Sequence, residues 1–260
     1  MAQSNGWKVV QKLLSSDPDQ GTYGYHTTSA KYWPLHARIK RAIWRKLLGW
    51  RFLLWERYRY NNLVLERVAE RPFLILPGVF NPVLFRTGEF MAQSLGNHLI
   101  PFGAAVLDLG TGSGVGAVFA AQAAKWVVAV DVTPAAVRCA RINALLNGVE
   151  GQVEVRQGDL FASVLQERFD VVLFNPPFFR RQPKNDLERA LYSLDIFERF
   201  TDEVRDHLKP GGTCLVIMST DGDLDGFRQA ARRQNFSIEL IQQRDLINEW
   251  LLLYRLRPED

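Results

Sequence analysis

The chain reads as an α/β protein: a Rossmann-like, seven-stranded, mostly parallel sheet with helices on both faces, preceded by a helical N-terminal segment. Three observations predict this. From Phe73 onward short apolar runs alternate with helical stretches, a glycine-rich turn joins one apolar run to an apolar helix, and acidic residues recur at the ends of successive runs. The 260 residues, 47% hydrophobic and 23% charged, suffice for one large domain with an appendage, which excludes fibrous and wholly disordered classes.

Taken in order, residues 1–30 are rich in Ser, Gly, Thr, Asp and Gln and read as a frayed or loosely docked stretch. Between Trp33 and Val68 the apolar positions Leu35, Ile39, Ile43, Leu47, Trp50 and Leu54 recur at helical spacing, interleaved with arginines, so a basic amphipathic helix is expected. Residues 1–70 therefore form the expected head and 71–260 the expected catalytic body. Strands are predicted at 105–109, 126–130, 153–157, 171–175 and 213–218, with helices at 114–124, 134–147, 160–168 and 187–208. The closing runs SIELIQQRD and EWLLLYRLR predict an antiparallel edge hairpin.

The net charge of +4 is unevenly spread: the head holds 12 Lys and Arg against 5 Asp and Glu, the body 20 against 23. Two cysteines without a CxxC and four scattered histidines support neither a disulfide framework nor a metal site. No long apolar segment suggests a leader or an integral membrane span, so a cytoplasmic location is the default expectation.

Chemistry concentrates where the predicted strands end. Val106 to Gly116, VLDLGTGSGVG, runs from a strand through glycines into a helix, a turn that lets backbone approach a nucleotide-type ligand at a helix N-terminus. Asp131 ends the next strand 21 residues after Gly110, where a carboxylate can accept from both ribose hydroxyls. The plainer reading is a helix cap, a task Thr133-Pro134 could also perform. Asp159, in GDLF, ends the third strand, suited to an adenine amino group with Leu160 against the ring. At the fourth strand end, Asn175-Pro176-Pro177-Phe178 surrenders two backbone donors. The Asn175 side-chain oxygen and the Pro176 carbonyl can then accept both hydrogens of a planar NH2 group, with Phe178 stacked on its face.

VLDLGTGSG, AVDVTPAAVRCARINALLNG, GDLF and FDVVLFNPPF, in this order and spacing, resemble the class I S-adenosylmethionine methyltransferases. Within that class they are most similar to release-factor glutamine N-methyltransferases and related small N-methyltransferases. The resemblance implies the strand order 3-2-1-4-5-7-6 and S-adenosyl-L-methionine as cofactor, held by Asp108, Gly110, Thr111, Gly112, Gly114, Asp131, Val132, Asp159, Leu160 and Asn175. It implies Asn175, Pro176, Pro177 and Phe178 as the catalytic clamp, and Phe80, Arg86 and Thr87 as acceptor contacts; Phe179 and Arg180 open a basic loop just after the clamp that is placed to touch the acceptor, the plainer reading being a solvated loop. Two departures stand out: Phe178 occupies a place usually held by Tyr, and the segment around Arg86-Thr87-Gly88-Glu89 differs from the usual IPRPETE.

The acceptor expected on this basis is a glutamine-like amide of a protein or peptide. A nucleic-acid base or a small amine is the alternative within the class. A nicotinamide-dependent oxidoreductase would explain Gly110 to Asp131 but has no use for the clamp, and a silent binding subunit would not need an intact set.

Overall fold

The computed structural model describes residues 62–259, apart from 85, 96–98, 185 and 247–248. The expected basic helix before Asn62 lies outside the described residues.

The described chain begins with a hairpin of β1 (Val64–Val68) and β2 (Arg71–Ile75), paired antiparallel. This corrects the helical expectation for its last residues: Glu66 and Val68 are buried while Leu65 and Arg67 are exposed, the period of a strand. The expected boundary after residue 70 falls in the hairpin turn, at Ala69 and Glu70, both with positive φ. Helix α1 (Thr87–Leu95) follows, and was not foreseen.

The central sheet is built from β3 (Ala105–Leu109), β4 (Trp126–Asp131), β5 (Val153–Gln157), β6 (Phe169–Phe174), β9 (Leu208–Ser219), β10 (Phe236–Asp245) and β11 (Trp250–Pro258). Its order, β10-β11-β9-β6-β3-β4-β5, is the expected one. Six strands run in one direction, and β11 enters antiparallel between β9 and β10. Between them lie α2 (Val115–Ala120), α3 (Pro134–Leu146), α5 (Ile196–Val204) and α6 (Leu224–Arg233).

Alternate residues of each strand supply two cores. Val106, Val127, Ala129, Val171 and Leu173 face α1, α2, α3 and the first hairpin; Leu107, Leu109, Val128, Val172 and Phe174 face α5 and α6. Burial on both faces explains why these runs read as continuous apolar stretches. Each fully buried Phe among them, such as Phe73, Phe161 and Phe200, contributes about 1.5–3 kcal/mol.

Two helices expected from sequence are not there. Residues 160–168 form successive tight turns, Ala162 to Asp159, Val164 to Phe161 and Glu167 to Val164, and Leu160 takes a left-handed φ of 48°, outside the helical region. The expected helix 187–208 is divided. A short α4 (Asp186–Arg189) is followed by β8 (Tyr192–Ser193), which pairs with β7 (Phe179–Arg180) immediately after the clamp. α5 comes next, then a 3-10 turn, Arg205–His207, leading into β9.

Candidate active site

All the acids singled out in the sequence lie toward the carboxyl ends of adjacent parallel strands, the rim where open α/β sheets bind ligands. Asp108, inside β3, is 3% exposed. One of its oxygens accepts from Thr111 Oγ1 at 2.6 Å and from the Ala117 N–H at 2.9 Å. Burial pushes its carboxyl up to about 6, against these two hydrogen bonds, with a smaller upward push from Asp131. Gly116 leaves the room it needs, since a Cβ there would come within 2.6 Å of the carboxylate.

The turn over Asp108 is an open cradle. Gly110 and Gly112 have φ of 63° and 55°. A Cβ on Gly110 would meet nothing within 4 Å, and one on Gly112 only the Gly110 carbonyl at 3.9 Å. A ligand can therefore approach the backbone closely, and the observation fits an adenosyl cofactor bound across it.

Asp131, half-buried, accepts from Gly112 N–H at 2.9 Å, Thr133 N–H at 2.9 Å and Thr133 Oγ1 at 3.0 Å. It ties the glycine turn to the start of α3, which Thr133 caps through Ala136 N–H. The strand-end acid and the helix cap, alternatives in sequence terms, are two linked parts of one arrangement. Val132 beside it is exposed. Asp159 is exposed and ion-paired with Arg199 of α5 at 2.8 Å, while Leu160 is buried in the α5 and α6 core. An adenine amino group reaching Asp159 would share it with Arg199.

The clamp follows β6. Asn175 is half-buried, and its Nδ2 donates to Thr87 Oγ1 at 3.2 Å. Thr87 is itself 2% exposed at the start of α1. Phe178 packs against both cores, and its carbonyl accepts from Asp223 N–H at 2.9 Å. Phe80 and Phe179, far apart in sequence, converge on Leu191 and Tyr192 in a small apolar cluster. Arg86 is half-buried with a φ of 60°.

Arg180 is engaged by protein groups on three sides. Its guanidinium bonds Glu198 at 2.6 Å, the Leu194 carbonyl at 2.9 Å, and Asp223. Arg181 pairs with Glu188 at 3.0 Å and stacks 3.7 Å from the Tyr192 ring.

Sequence reading missed Asn143. Fully buried in α3, it accepts from Leu74 N–H at 2.7 Å and donates to the carbonyls of Leu74 at 2.9 Å and Ser113 at 2.8 Å, fastening β2 to the glycine turn. An amide on the apolar stripe of an amphipathic helix was the available signal. Burial raises the Cys139 thiol to about 11 and the Cys214 thiol also, so neither serves as a nucleophile near neutral pH. Among the described residues no group of three metal-ligating side chains occurs and no helix is long and apolar enough to cross a membrane.

Known proteins resemble this chain in sequence and in fold. Ribosomal RNA small subunit methyltransferase C of Alcanivorax borkumensis is 33% identical over 159 residues, 61% of this chain and 45% of its own length. Release factor glutamine methyltransferase of Shewanella oneidensis is 32% identical over 190 residues, 66% of this chain and 64% of its own. A solved ribosomal protein L11 methylase from Lactobacillus delbrueckii subsp. bulgaricus superposes with a TM-score of 0.55 at 22% identity, covering 71% of this chain and 84% of that one. The chain spans about half to two thirds of the length of these curated relatives. A profile described as methyltransferase small domain matches residues 70–229, a span that takes in the glycine cradle, both strand-end acids and the clamp. The chain belongs to the methyltransferase small-domain family, whose cofactor is S-adenosyl-L-methionine.

Proposed function

We propose that the chain transfers a methyl group to the planar amide nitrogen of a protein or peptide acceptor, a glutamine-like side chain. When bound, S-adenosyl-L-methionine supplies a methyl carbon made electrophilic by its sulfonium. Asp108, Asp131 and the Gly110–Gly112 turn hold the cofactor. Asn175 Oδ1 and the Pro176 carbonyl accept the two hydrogens of the acceptor nitrogen, which aims its lone pair at the methyl carbon; as the N–C bond formed the S–C bond would break, S-adenosylhomocysteine would leave, and one of the two hydrogens would depart as a proton by way of its carbonyl acceptor. The observation carrying this reading is the Asn175 to Thr87 bond: with its Nδ2 taken, the amide presents Oδ1 as an acceptor.

Two features favour a peptide over a nucleic acid. The cations just after the clamp are neutralised from within, Arg180 by Glu198 and Asp223 and Arg181 by Glu188, leaving them poorly placed to hold phosphates. The neighbouring cluster of Phe80, Phe179, Leu191 and Tyr192 suits an aliphatic side-chain stem. The relatives divide in the same way, with glutamine methyltransferases on one side and a ribosomal RNA enzyme on the other.

The head, residues 1–61, is proposed to select the acceptor. It joins the fold at β1, whose Glu66 accepts from Asn81 Nδ2 at 3.0 Å, next to Phe80. The test is transfer of labelled methyl from S-adenosylmethionine into a lysate separated into protein, RNA and small molecules, followed by enzymatic digestion of the labelled fraction, which spares a methylated side-chain amide. Label recovered as N-methylglutamine supports the reading. Label confined to RNA as a methylated base establishes the alternative.

A further inference from the structure

We infer that Arg180 is a positioning residue of the acceptor clamp rather than a ligand of the acceptor. The inference rests on the methyltransferase reading above. Pro176 and Pro177 bring no N–H groups, so the clamp cannot anchor its own turn by backbone donation and must be held from outside. Two backbone bonds do so on its far side: Phe178 accepts from Asp223 N–H at 2.9 Å, and Phe179 N–H donates to Leu191 at 3.1 Å.

Arg180 fixes the first of these. Its Nε bonds one Asp223 oxygen, while the other Asp223 oxygen accepts from Gly226 N–H at 2.9 Å and caps α6. The remaining guanidinium nitrogens reach Glu198 on α5 and the Leu194 carbonyl, and the group lies 5.8 Å from the Phe197 ring. A planar fork thus joins the clamp strand, the start of α5 and the start of α6. Asp223 then returns along its own backbone to grip Phe178.

The packing around this fork leaves little slack. A Cβ on Gly222 would come within 2.7 Å of Phe178 Cβ and 2.9 Å of its carbonyl oxygen, so backbone lies directly against the clamp ring's own residue. A Cβ on Gly226 would come within 2.7 Å of Arg180 Nη2. Without the guanidinium, Glu198 and Asp223 would face one another uncompensated, driving apart the elements that seat Phe178. Lysine cannot replace it, because a single ammonium does not span acceptors arranged around a guanidinium plane.

The experiment compares the full chain with Arg180→Lys, Glu198→Ala and Glu198→Gln, using S-adenosylhomocysteine as the binding probe and hydrogen exchange as the structural readout. Expected is a rise of about tenfold or more in exchange at Asp223 in Arg180→Lys and Glu198→Ala, with recovery in Glu198→Gln, which keeps the bonded oxygen. Exchange in the Gly110–Gly116 segment and affinity for the probe should stay within about twofold. Unchanged exchange at Asp223, or a general loss of protection, overturns the inference. Failure of the wild-type chain to bind the probe would instead count against the functional reading. A second arm uses labelled S-adenosylmethionine and a dilution series of total protein extract. Arg180→Lys should lower the limiting rate about tenfold while leaving the half-saturating extract concentration within about threefold. A raised half-saturation with the limiting rate kept would make Arg180 an acceptor ligand and overturn the proposal.

Discussion

Asn175 and Thr87, 88 residues apart, meet through one hydrogen bond of 3.2 Å from the amide nitrogen to the buried hydroxyl. On the proposed function this bond decides which end of the amide the acceptor meets, because a side-chain amide turned by half a revolution would present donors where acceptors are needed. The start of α1 and the end of β6 are thereby joined at the clamp.

Removal of the hydroxyl should therefore slow transfer without loosening the cofactor. Thr87→Val is expected to lower turnover about tenfold, and Thr87→Ser to restore most of it; Asn175→Ala should lower turnover about 100-fold or more. Rate measurements beside calorimetric affinities for S-adenosylhomocysteine check this. Equal rates in Thr87→Val and wild type would remove the bond from the mechanism.

Asp108 should couple stability to pH. Its folded-state value of about 6 lies above the ordinary 3.8. Protonation is thus favoured by folding, and the stability gained is fully present below pH 3.8 and lost as pH rises through 6. The loss is about 3 kcal/mol. Asp108→Asn should flatten this part of the profile and raise the melting temperature of the ligand-free protein at pH 7.5, yet weaken binding of the cationic cofactor. Melting curves between pH 4.5 and 8, with calorimetry at pH 7.5, test both halves.

Asp131→Ala should weaken the cofactor by about 1.5–3 kcal/mol, through lost charge-assisted bonds. Because Asp131 also holds Gly112 and Thr133, the glycine turn should exchange its amides faster even without ligand. An affinity within twofold of wild type would exclude the carboxylate from the cofactor site.

Asn143→Ala strands the Leu74 N–H and the Ser113 carbonyl and leaves the Leu74 carbonyl only the weak Cys139 thiol donor, a cost of about 2 kcal/mol or more in unfolding free energy. Urea titration measures it. Unchanged stability would mean that water replaces the amide.

Deleting residues 1–61, which keeps β1 intact, should leave S-adenosylhomocysteine binding in place and abolish or broaden acceptor methylation. Transfer to the native acceptor at the full rate would deny the head any role in selection. A cut at residue 70 would instead remove half of the β1–β2 hairpin and test only the fold.

The alternation of strands and helices, the edge hairpin and the polar residues that stand at the strand ends were all legible in the sequence. Those features rest on local signals: apolar runs buried on both faces, glycines at a strand-to-helix turn, and polar residues at strand ends. Tertiary structure decided what each polar group had left to offer. Arg180 looks like a free cation in sequence and becomes an internal tie only when α5 and α6 bring Glu198 and Asp223 to it. Asn143 is only an amide on the apolar stripe of its helix until β2 is laid along it. The reason is range: periodicity and turn chemistry act over a few residues, whereas a hydrogen bond between Thr87 and Asn175 exists only after the whole sheet has placed them side by side.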